Sequence, residues 1–424
     1  MHYDIIIIGA GLAGAVAAYK CSKFSKTLLL DAHPSIGELP VKTNLFIKHN
    51  QPFVEDLNLD YNNRDIFSLD HIKSNFMSKK ANGVINSKEF GDPLGKIIYT
   101  ENLLKEILHK FENNGGDLRF DSRVTRVWQK GDQVKVKVND NEIKGNLLML
   151  ATGSHGFNLQ KSLGFETPDK FMGIYTNLYG SEAQLKENIP WNYIFHINTK
   201  ISKSGPFFIN KGRDRISLGY LGNFNESEAQ IRDKLGRIIS NYSKIQPFVE
   251  GLKPKENPVI VPISKHPISH FSRDRILVLG EAAGLVTSFF YEGILGCVAS
   301  ADCAVNTVRP LIEQGKPLTR QNLKGYDQAL KRLLLENFFN NGAASEYMFY
   351  NARSSMKLLW ETYTELIKSN KTLRKYIYEA HVLDDLSKYD TSRDRWTGEK
   401  IFGNLPALSK ISLGPKFLKA LFKL

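Results

Sequence analysis

The sequence predicts an α/β fold with three parts: a domain built on a parallel β-sheet, a second domain rich in β-sheet, and a helical C-terminal region. Two glycine-rich turns, at residues 9–14 and 280–284, are the main observations behind this prediction. Each turn follows an apolar run typical of a buried strand and precedes small residues typical of a helix. The third observation is the helical pattern of residues 317–400. A chain of 424 residues is long enough to form two or more cores.

The first turn carries a dinucleotide-binding fingerprint. Residues 5–8 are all isoleucine, which suits a strand buried on both faces of a parallel sheet. Gly9 permits a tight turn, Gly11 permits a pyrophosphate to approach the backbone, and Gly14 permits the next helix to pack closely on the strand. The N–H groups and the dipole at the start of that helix favour a phosphate charge. We therefore predict a Rossmann-like domain whose first turn contacts the cofactor through Gly9, Gly11, Leu12, Ala13 and Gly14.

An acidic residue follows the second predicted strand of this domain. The apolar run 28–30 ends at Asp31, which lies 22 positions after Gly9. A carboxylate at this distance can bind ribose hydroxyls and disfavours a 2′-phosphate. The pattern therefore favours FAD or NAD over NADP.

The second turn carries a resemblance to a known family. Residues 280–284, followed by Glu292-Gly293-Ile294, resemble the second FAD signature of the hydroxylase-like flavoprotein superfamily. Within that group the chain most resembles the geranylgeranyl reductases, especially the archaeal enzymes that saturate isoprenoid lipid chains. The family has Asp at the position of Glu281 and Gly at the position of Tyr291. The resemblance implies a hydroxylase-like fold in which one FAD is held by both turns, the second reaching the ribityl chain.

Other parts of the predicted FAD domain are also similar to the family. Residues 36–44 are similar to the segment that passes beside the isoalloxazine ring, with Thr43 in place of the usual Cys. Residues 124–127 and 150–156 are similar to the strand pair and turn that close the FAD domain. An Arg that the family often carries near residue 100 has no counterpart in residues 99–102. In addition to Asp31 and the first turn, the predicted cofactor contacts are Ala32, Lys42, Thr43, Val124, Ala151, Thr152, Gly153, Gly280, Glu281, Gly284, Gly293 and Ile294.

The predicted domains are discontinuous in sequence. We expect the FAD-binding domain at residues 1–160 and 258–310, the sheet-rich substrate domain at 161–257, and the helical region at 311–424. The aromatic substrate motif of the family aligns with residues 191–196, where Phe195 is identical and His196 replaces a Pro. Ordinary core packing is an alternative role for each aromatic residue of this domain. The predicted substrate-wall residues are Trp191, Tyr193, Phe195, Phe208, Tyr220 and Tyr291.

The resemblance implies an FAD-dependent reductase that saturates carbon–carbon double bonds of geranylgeranyl chains by hydride transfer from reduced flavin. Weak candidates for the proton donor are Tyr220, His266 and Tyr291, each with a structural role as the alternative. The electron donor, NAD(P)H or a ferredoxin-like protein, stays open. Two other functions also stay open: an FAD-dependent monooxygenase of the same superfamily, and a non-catalytic flavin-containing lipid-binding paralogue.

Composition restricts the compartment and the partners. The formal net charge is +13, but Lys and Arg are scattered and no nucleic-acid motif is present. An anionic membrane surface or lipid head group is therefore the favoured partner, with general solubility as the alternative role of the charge. The three Cys lack metal-site spacing and indicate a reducing compartment. We expect no metal, no nucleic acid, and a cytoplasmic location with possible peripheral membrane contact. The oligomeric state stays open.

The C-terminal residues 405–424 differ in composition from the rest of the chain. They hold four Lys and no acidic residue. A helix beginning at Pro415 would place Phe417, Ala420, Leu421 and Leu424 on one face and Lys416, Lys419 and Lys423 on another. This pattern is typical of a basic amphipathic helix that lies on a membrane, with docking on the protein body as the alternative.

Overall fold

The computed structural model describes residues 2–222, 226–350 and 355–421. The strands are β1 His2–Ile8, β2 Thr27–Leu30, β3 Thr43–Ile47, β4 Phe67–Asp70, β5 Lys73–Met77, β6 Asn82–Asn86, β7 Gly95–Tyr99, β8 Asp117–Arg119, β9 Val124–Lys130, β10 Gln133–Val138, β11 Asn141–Leu150, β12 Asp169–Tyr179, β13 Tyr193–His196, β14 Phe207–Lys211, β15 Arg215–Leu221, β16 Val259–Lys265, β17 Ser272–Arg273 and β18 Ile276–Val278. The helices are α1 Leu12–Ser22, α2 Thr100–Asn113, α3 Phe157–Ser162, α4 Glu182–Asn188, α5 Glu228–Asn241, α6 Gln246–Val249, α7 Ile294–Glu313, α8 Arg320–Leu330, α9 Asn340–Tyr350, α10 Met356–Ser369, α11 Lys371–Val382, α12 Thr391–Gly403 and α13 Ala407–Leu421.

The first sheet carries both glycine-rich turns at the ends of its strands. Its central order is β17-β18-β11-β1-β2-β8, and β9 and β10 extend it from β11. The pairs β1–β2, β1–β11, β11–β18 and β2–β8 are parallel. Residues 5–7 in β1 are fully buried, as the continuous apolar run predicts. Because parallel strands end at the same edge, the turns after β1 and β18 lie side by side.

Residues 36–95 have irregular spacing and many Asn, Lys and Asp, a composition typical of loops and short helices. Short 3-10 helices are present there, but the segment also contains the four strands β3–β6 and the first residue of β7. β3, β7 and β4 form a small antiparallel sheet, and β5 and β6 join the second large sheet. Pairing with partners distant in sequence decides these strands, and local composition does not show such pairing.

The second sheet has the order β16-β12-β15-β14-β13-β5-β6. All neighbouring pairs are antiparallel except β13–β5. This sheet therefore includes β5 and β6, which precede the sheet-rich domain predicted at 161–257, and β16, which follows it. On one side α5 covers the sheet and contributes Ile231, Leu235 and Ile238 to a buried core. The other side faces the C-terminal helices.

The C-terminal region is helical, as predicted. Helices α8–α13 follow one another, with a π-helical stretch at Lys331–Phe339 between α8 and α9. α9, α10 and α13 share a second buried core with β5 and β13, centred on Trp360 and Phe195. Within the described ranges, no helix has the combined length and apolar character that crossing a membrane requires.

Candidate functional site

The three glycines of the first turn differ in what a side chain at each position would meet. Gly9 has φ +104°, and a Cβ there would lie 2.3 Å from the carbonyl oxygen of Ala151. A Cβ on Gly14 would lie 1.8 Å from the carbonyl oxygen of Gly9. A Cβ on Gly11 would meet no atom within 4 Å. Gly11, the N-cap residue of α1, has no side chain to cap the helix, so N–H groups at its start are available to an anion, with the Cys297 thiol beside the N–H of Ala13. The turn therefore fits a pyrophosphate, with open space at Gly11.

Asp31 lies beside this turn, at the end of β2. Its Oδ2 accepts a hydrogen bond of 2.5 Å from the Ala10 N–H, and its Oδ1 accepts one of 2.8 Å from the His33 N–H. Oδ1 also contacts Nδ1 of His33 at 2.7 Å, whereas Oδ2 keeps a second lone pair for a further hydrogen bond. The position is therefore compatible with the predicted contact to a ribose, and Ala32 is the exposed residue next to it.

The two glycine-rich turns are in contact. A Cβ on Gly280 would lie 2.9 Å from the Cβ of Ala13. Gly280 and Gly284 have φ +57° and +74°, a left-handed conformation that glycine adopts without strain. The structure thus brings together predicted cofactor residues that lie about 270 positions apart in the sequence.

Glu281 joins the second turn to two other predicted segments. Its Oε1 accepts a hydrogen bond of 2.9 Å from the Ser264 N–H, and its Oε2 lies 3.8 Å from where a Cβ on Gly153 would be. Burial raises the pKa of Glu281, while the Ser264 N–H and Lys42 oppose this shift. The nearby hydroxyl of Thr152 is buried and has no hydrogen-bond partner within the described ranges. Val124, another predicted cofactor contact, begins β9 and pairs with Val138. The contacts of Glu281 with a ribityl chain and of Val124 with the cofactor stay predictions.

Glu292 lies in the site, although the sequence analysis did not predict it as a site residue. Its Oε1 accepts hydrogen bonds from the N–H groups of Ile294 at 2.7 Å and Leu295 at 3.2 Å, so it caps α7. Burial raises the pKa of Glu292 to about 7, against the opposing effect of these N–H groups and of Lys42. Its position within the second FAD signature is the sequence feature that could have predicted this role.

Lys42 faces Glu292 across the start of a cavity. Its ammonium lies 5.3 Å from the ring centroid of Tyr175 and 5.7 Å from that of Phe208. Burial lowers the pKa of Lys42, and Glu281 and Glu292 oppose the shift. In the described part of the chain, this ammonium has no hydrogen bond or ion pair.

A buried network fixes the backbone at Lys42 and Thr43. The Lys42 N–H donates to Oε2 of Glu101 at 3.1 Å, and the Thr43 N–H donates to Oγ of Ser217 at 2.7 Å. Arg215 forms an ion pair with Glu101 and donates to the Thr43 hydroxyl at 3.2 Å. The side chains of Arg215 and Glu101 are each 8% exposed. A guanidinium from β15 thus reaches the start of α2, near the position where the family often carries its Arg.

A continuous cavity of about 620 Å³ extends from this site into the helical region. At one end it is lined by Lys42 and Glu292, and at the other by His49 and Asp394. The wall between them is largely aromatic and aliphatic. It includes Tyr193, Phe208, Phe289, Phe290, Tyr291, Met348, Phe349, Leu359 and Tyr363.

The structure brings only some of the predicted substrate residues to this cavity. Tyr193, Phe208 and Tyr291 line it. Phe195 lies fully buried against Phe289, with ring centroids 5.5 Å apart, and Phe289 lines the cavity instead. Trp191 packs on Phe248 in the core under α5 and not on the cavity. Tyr193 and Phe195 are two residues apart on β13 and share the face toward the C-terminal core, whereas Trp191 precedes the strand and packs on the other side of the sheet.

The three proton-donor candidates have different surroundings. Tyr220 is fully buried, and its hydroxyl donates to the carbonyl of Ile231 at 3.1 Å, away from the cavity. His266 is exposed in a left-handed turn against Gly284 and does not line the cavity. Tyr291 does line it, and its hydroxyl donates to Oε1 of Glu346 at 3.2 Å. Tyr291 has φ +53°, a left-handed conformation that accounts for the Gly at this position in the family pattern.

Comparisons with known proteins agree with this geometry. Residues 3–187 match the family of pyridine nucleotide-disulphide oxidoreductases. The chain is 21% identical to a digeranylgeranylglycerophospholipid reductase of Thermoplasma acidophilum, over 81% of this chain and 87% of the relative. A geranylgeranyl bacteriochlorophyll reductase-like protein from the same organism has a TM-score of 0.73 at 17% identity, covering 98% of this chain and 99% of that one. A p-nitrophenol 4-monooxygenase from Pseudomonas putida has a TM-score of 0.69 at 13% identity, covering 91% and 99%.

These comparisons confirm the predicted hydroxylase-like flavoprotein fold and the resemblance to the geranylgeranyl reductases. They also support an oxidoreductase with a flavin cofactor. The structural likeness to the monooxygenase shows only that the two chains share a fold. At 13% identity it carries no information about the substrate of this chain. The groups of His, Cys, Asp and Glu that the structure describes include none that could hold a metal ion.

Proposed function

We propose that this protein is an FAD-dependent reductase that saturates carbon–carbon double bonds in the geranylgeranyl chains of lipids. The observation that carries the proposal is the aromatic and aliphatic cavity that begins at Lys42 and Glu292, beside the two joined turns. Cavities of this size are typical of sites that enclose small molecules and lipid chains. The relatives named digeranylgeranylglycerophospholipid reductase support the same substrate class.

The residues of both turns fit FAD. The open space at Gly11 and the uncapped start of α1 would hold the pyrophosphate, and Asp31 would hold the ribose. When bound, reduced FAD supplies the hydride. The electron donor would be NAD(P)H or a ferredoxin-like protein that binds transiently, since the sequence carries only one complete dinucleotide fingerprint.

The protein's own contribution is to position the chain, exclude water and hold a proton. The aromatic wall around Phe289 and Tyr193 would orient an apolar chain and keep water out. The groups that can carry a proton at the end of the cavity near the two turns include the carboxyl of Glu292, the ammonium of Lys42 and the hydroxyl of Tyr291. Among them, Glu292 has its pKa at about 7, which suits proton donation near neutral pH.

An anaerobic experiment tests this function directly. The flavin of the purified protein is reduced with dithionite, a geranylgeranyl lipid is added, and reoxidation is followed by flavin absorbance. We expect reoxidation without oxygen and, by mass spectrometry, a product that gains two hydrogens for each bond reduced. A flavin that stays reduced until air is admitted would overturn the proposal. An oxygenated product would then support the monooxygenase, and no product the non-catalytic paralogue.

We also propose that the protein is cytoplasmic and that α13 contacts a membrane surface. The predicted start at Pro415 is wrong, because α13 begins at Ala407 and includes that proline. Leu413 and Phe417 dock it on the body, at 2% and 7% exposed. Its outer face instead presents Leu408, Ile411 and Leu418, which are 83%, 76% and 59% exposed. Lys423 and Leu424 of the predicted amphipathic faces lie outside the described residues.

Vesicle sedimentation tests the membrane contact. The triple variant Leu408→Ser, Ile411→Ser, Leu418→Ser should lose binding to vesicles containing anionic lipid, because exposed apolar side chains on a basic helix supply most of the interfacial affinity. Its unfolding temperature should stay unchanged because these side chains are exposed. Val259→Ser, at an exposed apolar position elsewhere, is the matched control. Binding of the triple variant equal to that of the wild type would refute the proposed surface.

A further inference from the structure

The end of the cavity away from the flavin turns is polar, although the wall leading to it is apolar. It is separated from Lys42 by the length of β3, about 16 Å for five residues of extended strand. Four of the polar side chains that line this end are His49, Asn341, Tyr389 and Asp394, which we call the polar end site. None of them takes part in the flavin site described above.

His49 is the most unusual member of the polar end site. It is 4% exposed, and neither ring nitrogen makes a geometrically well-formed hydrogen bond to the described residues, although the Ala380 carbonyl lies close to the ring. Its ring packs edge-on against Phe338, with centroids 5.4 Å apart. Burial and, to a smaller extent, the neighbouring His381 lower its pKa to about 3, against the opposing effect of the Ala380 carbonyl. The imidazole is therefore neutral and offers one donor and one acceptor.

The other three residues form a group beside Phe338. The ring of Phe338 lies 5.3 Å from that of Tyr389, and the Asn341 amide donates to the Tyr389 hydroxyl at 2.8 Å. Oδ2 of Asp394 is buried and has no hydrogen-bond partner among the residues that the structure describes. Burial raises the pKa of Asp394 to about 7, while Tyr389 and Asn341 favour its ionised form. At neutral pH this carboxyl can therefore donate or accept a hydrogen bond.

The cations around the polar end site are already paired. Arg393 contacts Glu379 at 2.5 Å and Asp390 at 3.3 Å, and Lys388 contacts Asp385 at 3.3 Å. A phosphate placed here would meet these carboxylates without an unpaired cation among the described lining residues of this end. The hydrocarbon end of a lipid chain placed here would leave the buried hydrogen-bonding atoms of His49 and Asp394 unsatisfied, which is unfavourable.

We propose that the polar end site binds an uncharged oxygen group at the end of the lipid chain, either the hydroxyl of a prenyl alcohol or an ether oxygen of a glycerol lipid. The inference rests on the proposed function because it deepens the choice of substrate for the same cavity. It assigns the chain an orientation, with its double bonds along the aromatic wall and its neutral polar end at His49 and Asp394.

Equilibrium binding to the oxidised holoenzyme tests this inference independently of turnover. The probes are geranylgeraniol, geranylgeranyl diphosphate, a digeranylgeranyl glycerol diether and a hydrocarbon with the same double bonds but no oxygen. Dissociation constants come from changes in flavin absorbance or fluorescence. We expect the alcohol or the diether to bind at least about tenfold more tightly than the hydrocarbon and the diphosphate, and whichever of the two binds better identifies the source of the oxygen.

Variants then locate the effect. Asp394→Leu and His49→Leu should weaken binding of the oxygenated probe about tenfold and leave binding of the hydrocarbon unchanged. Tyr389→Phe removes one hydroxyl with little change in shape, and it serves if the leucine variants do not fold. Tyr193→Phe makes the same change elsewhere on the cavity wall and should alter all probes by the same factor.

The outcomes separate the two proposals. Equal binding of the alcohol, the diether and the hydrocarbon by wild-type protein would overturn the polar end site, and so would tighter binding of the diphosphate. Selective binding without flavin reoxidation by any alkene would support the polar end site and overturn the proposed reductase.

Discussion

Replacing Gly11 by leucine separates the cofactor role of the first turn from its structural role. A Cβ on Gly11 would meet no atom of the protein within 4 Å, and its backbone has φ −66° and ψ 178°. Any L-residue adopts this conformation without strain. The new side chain would project into the space from which a pyrophosphate approaches the N–H groups at the start of α1. The folded protein should therefore tolerate the substitution, and flavin binding should not.

The two effects differ in size. Leucine is a poorer N-cap than glycine, so we expect a stability loss of about 1 kcal/mol or less. Hydrogen bonds to a charged group contribute about 1.5–3 kcal/mol each. Blocking two N–H···phosphate bonds should weaken FAD binding by about 3–6 kcal/mol, or about two to four orders of magnitude.

The assay measures flavin content after purification, the Kd of added FAD by fluorescence, and the unfolding midpoint of the apoprotein. Gly236→Leu is the matched control, because a Cβ there would also meet no atom within 4 Å and the position lies in the surface helix α5. Gly14→Ala gives the contrasting result, since its Cβ would lie 1.8 Å from the Gly9 oxygen and should disrupt folding. A Gly11→Leu protein with normal flavin content and an unchanged Kd would refute the assigned pyrophosphate site.

Two further predictions concern buried charges. The pKa of Glu292 is raised from 4.5 to about 7, so the unfolded chain loses this proton first and folding stability should fall by up to about 3 kcal/mol between these pH values. Glu292→Gln should remove that fall in pH-dependent denaturation of the apoprotein, and an unchanged pH profile would contradict the assignment. Arg215→Met leaves Glu101 buried and unpaired, which should cost about 3–5 kcal/mol in urea unfolding. The double variant Arg215→Met, Glu101→Leu should recover much of this loss; a double variant no more stable than the single one would show that the buried carboxylate is not the cause.

The flavin turns could be predicted from the sequence because their requirements are local. The φ values of Gly9, Gly280 and Gly284, and the close packing at Gly14, are properties of a few consecutive residues between a strand and a helix. Asp31 follows at a distance set by one βαβ unit. The N-terminal burial pattern and the parallel sheet follow from the same short apolar runs. The resemblance of these local patterns to a known family then predicted the substrate class.

The cavity could not be predicted in the same way. Trp191 and Phe195 satisfy an aromatic pattern, but Trp191 precedes β13 and packs on Phe248, and Phe195 lies in the core behind Phe289. His49 and Asp394 carried no recognisable motif, because 345 positions separate them and the packing of the C-terminal helices on the segment after β3 brings them to one cavity. The sequence by itself determined the cofactor-binding turns, since backbone conformation is specified by neighbouring residues. Only the tertiary structure decided which side chains line the lipid-sized cavity, since burial, charge pairing and unsatisfied hydrogen bonds depend on contacts between segments distant in the chain.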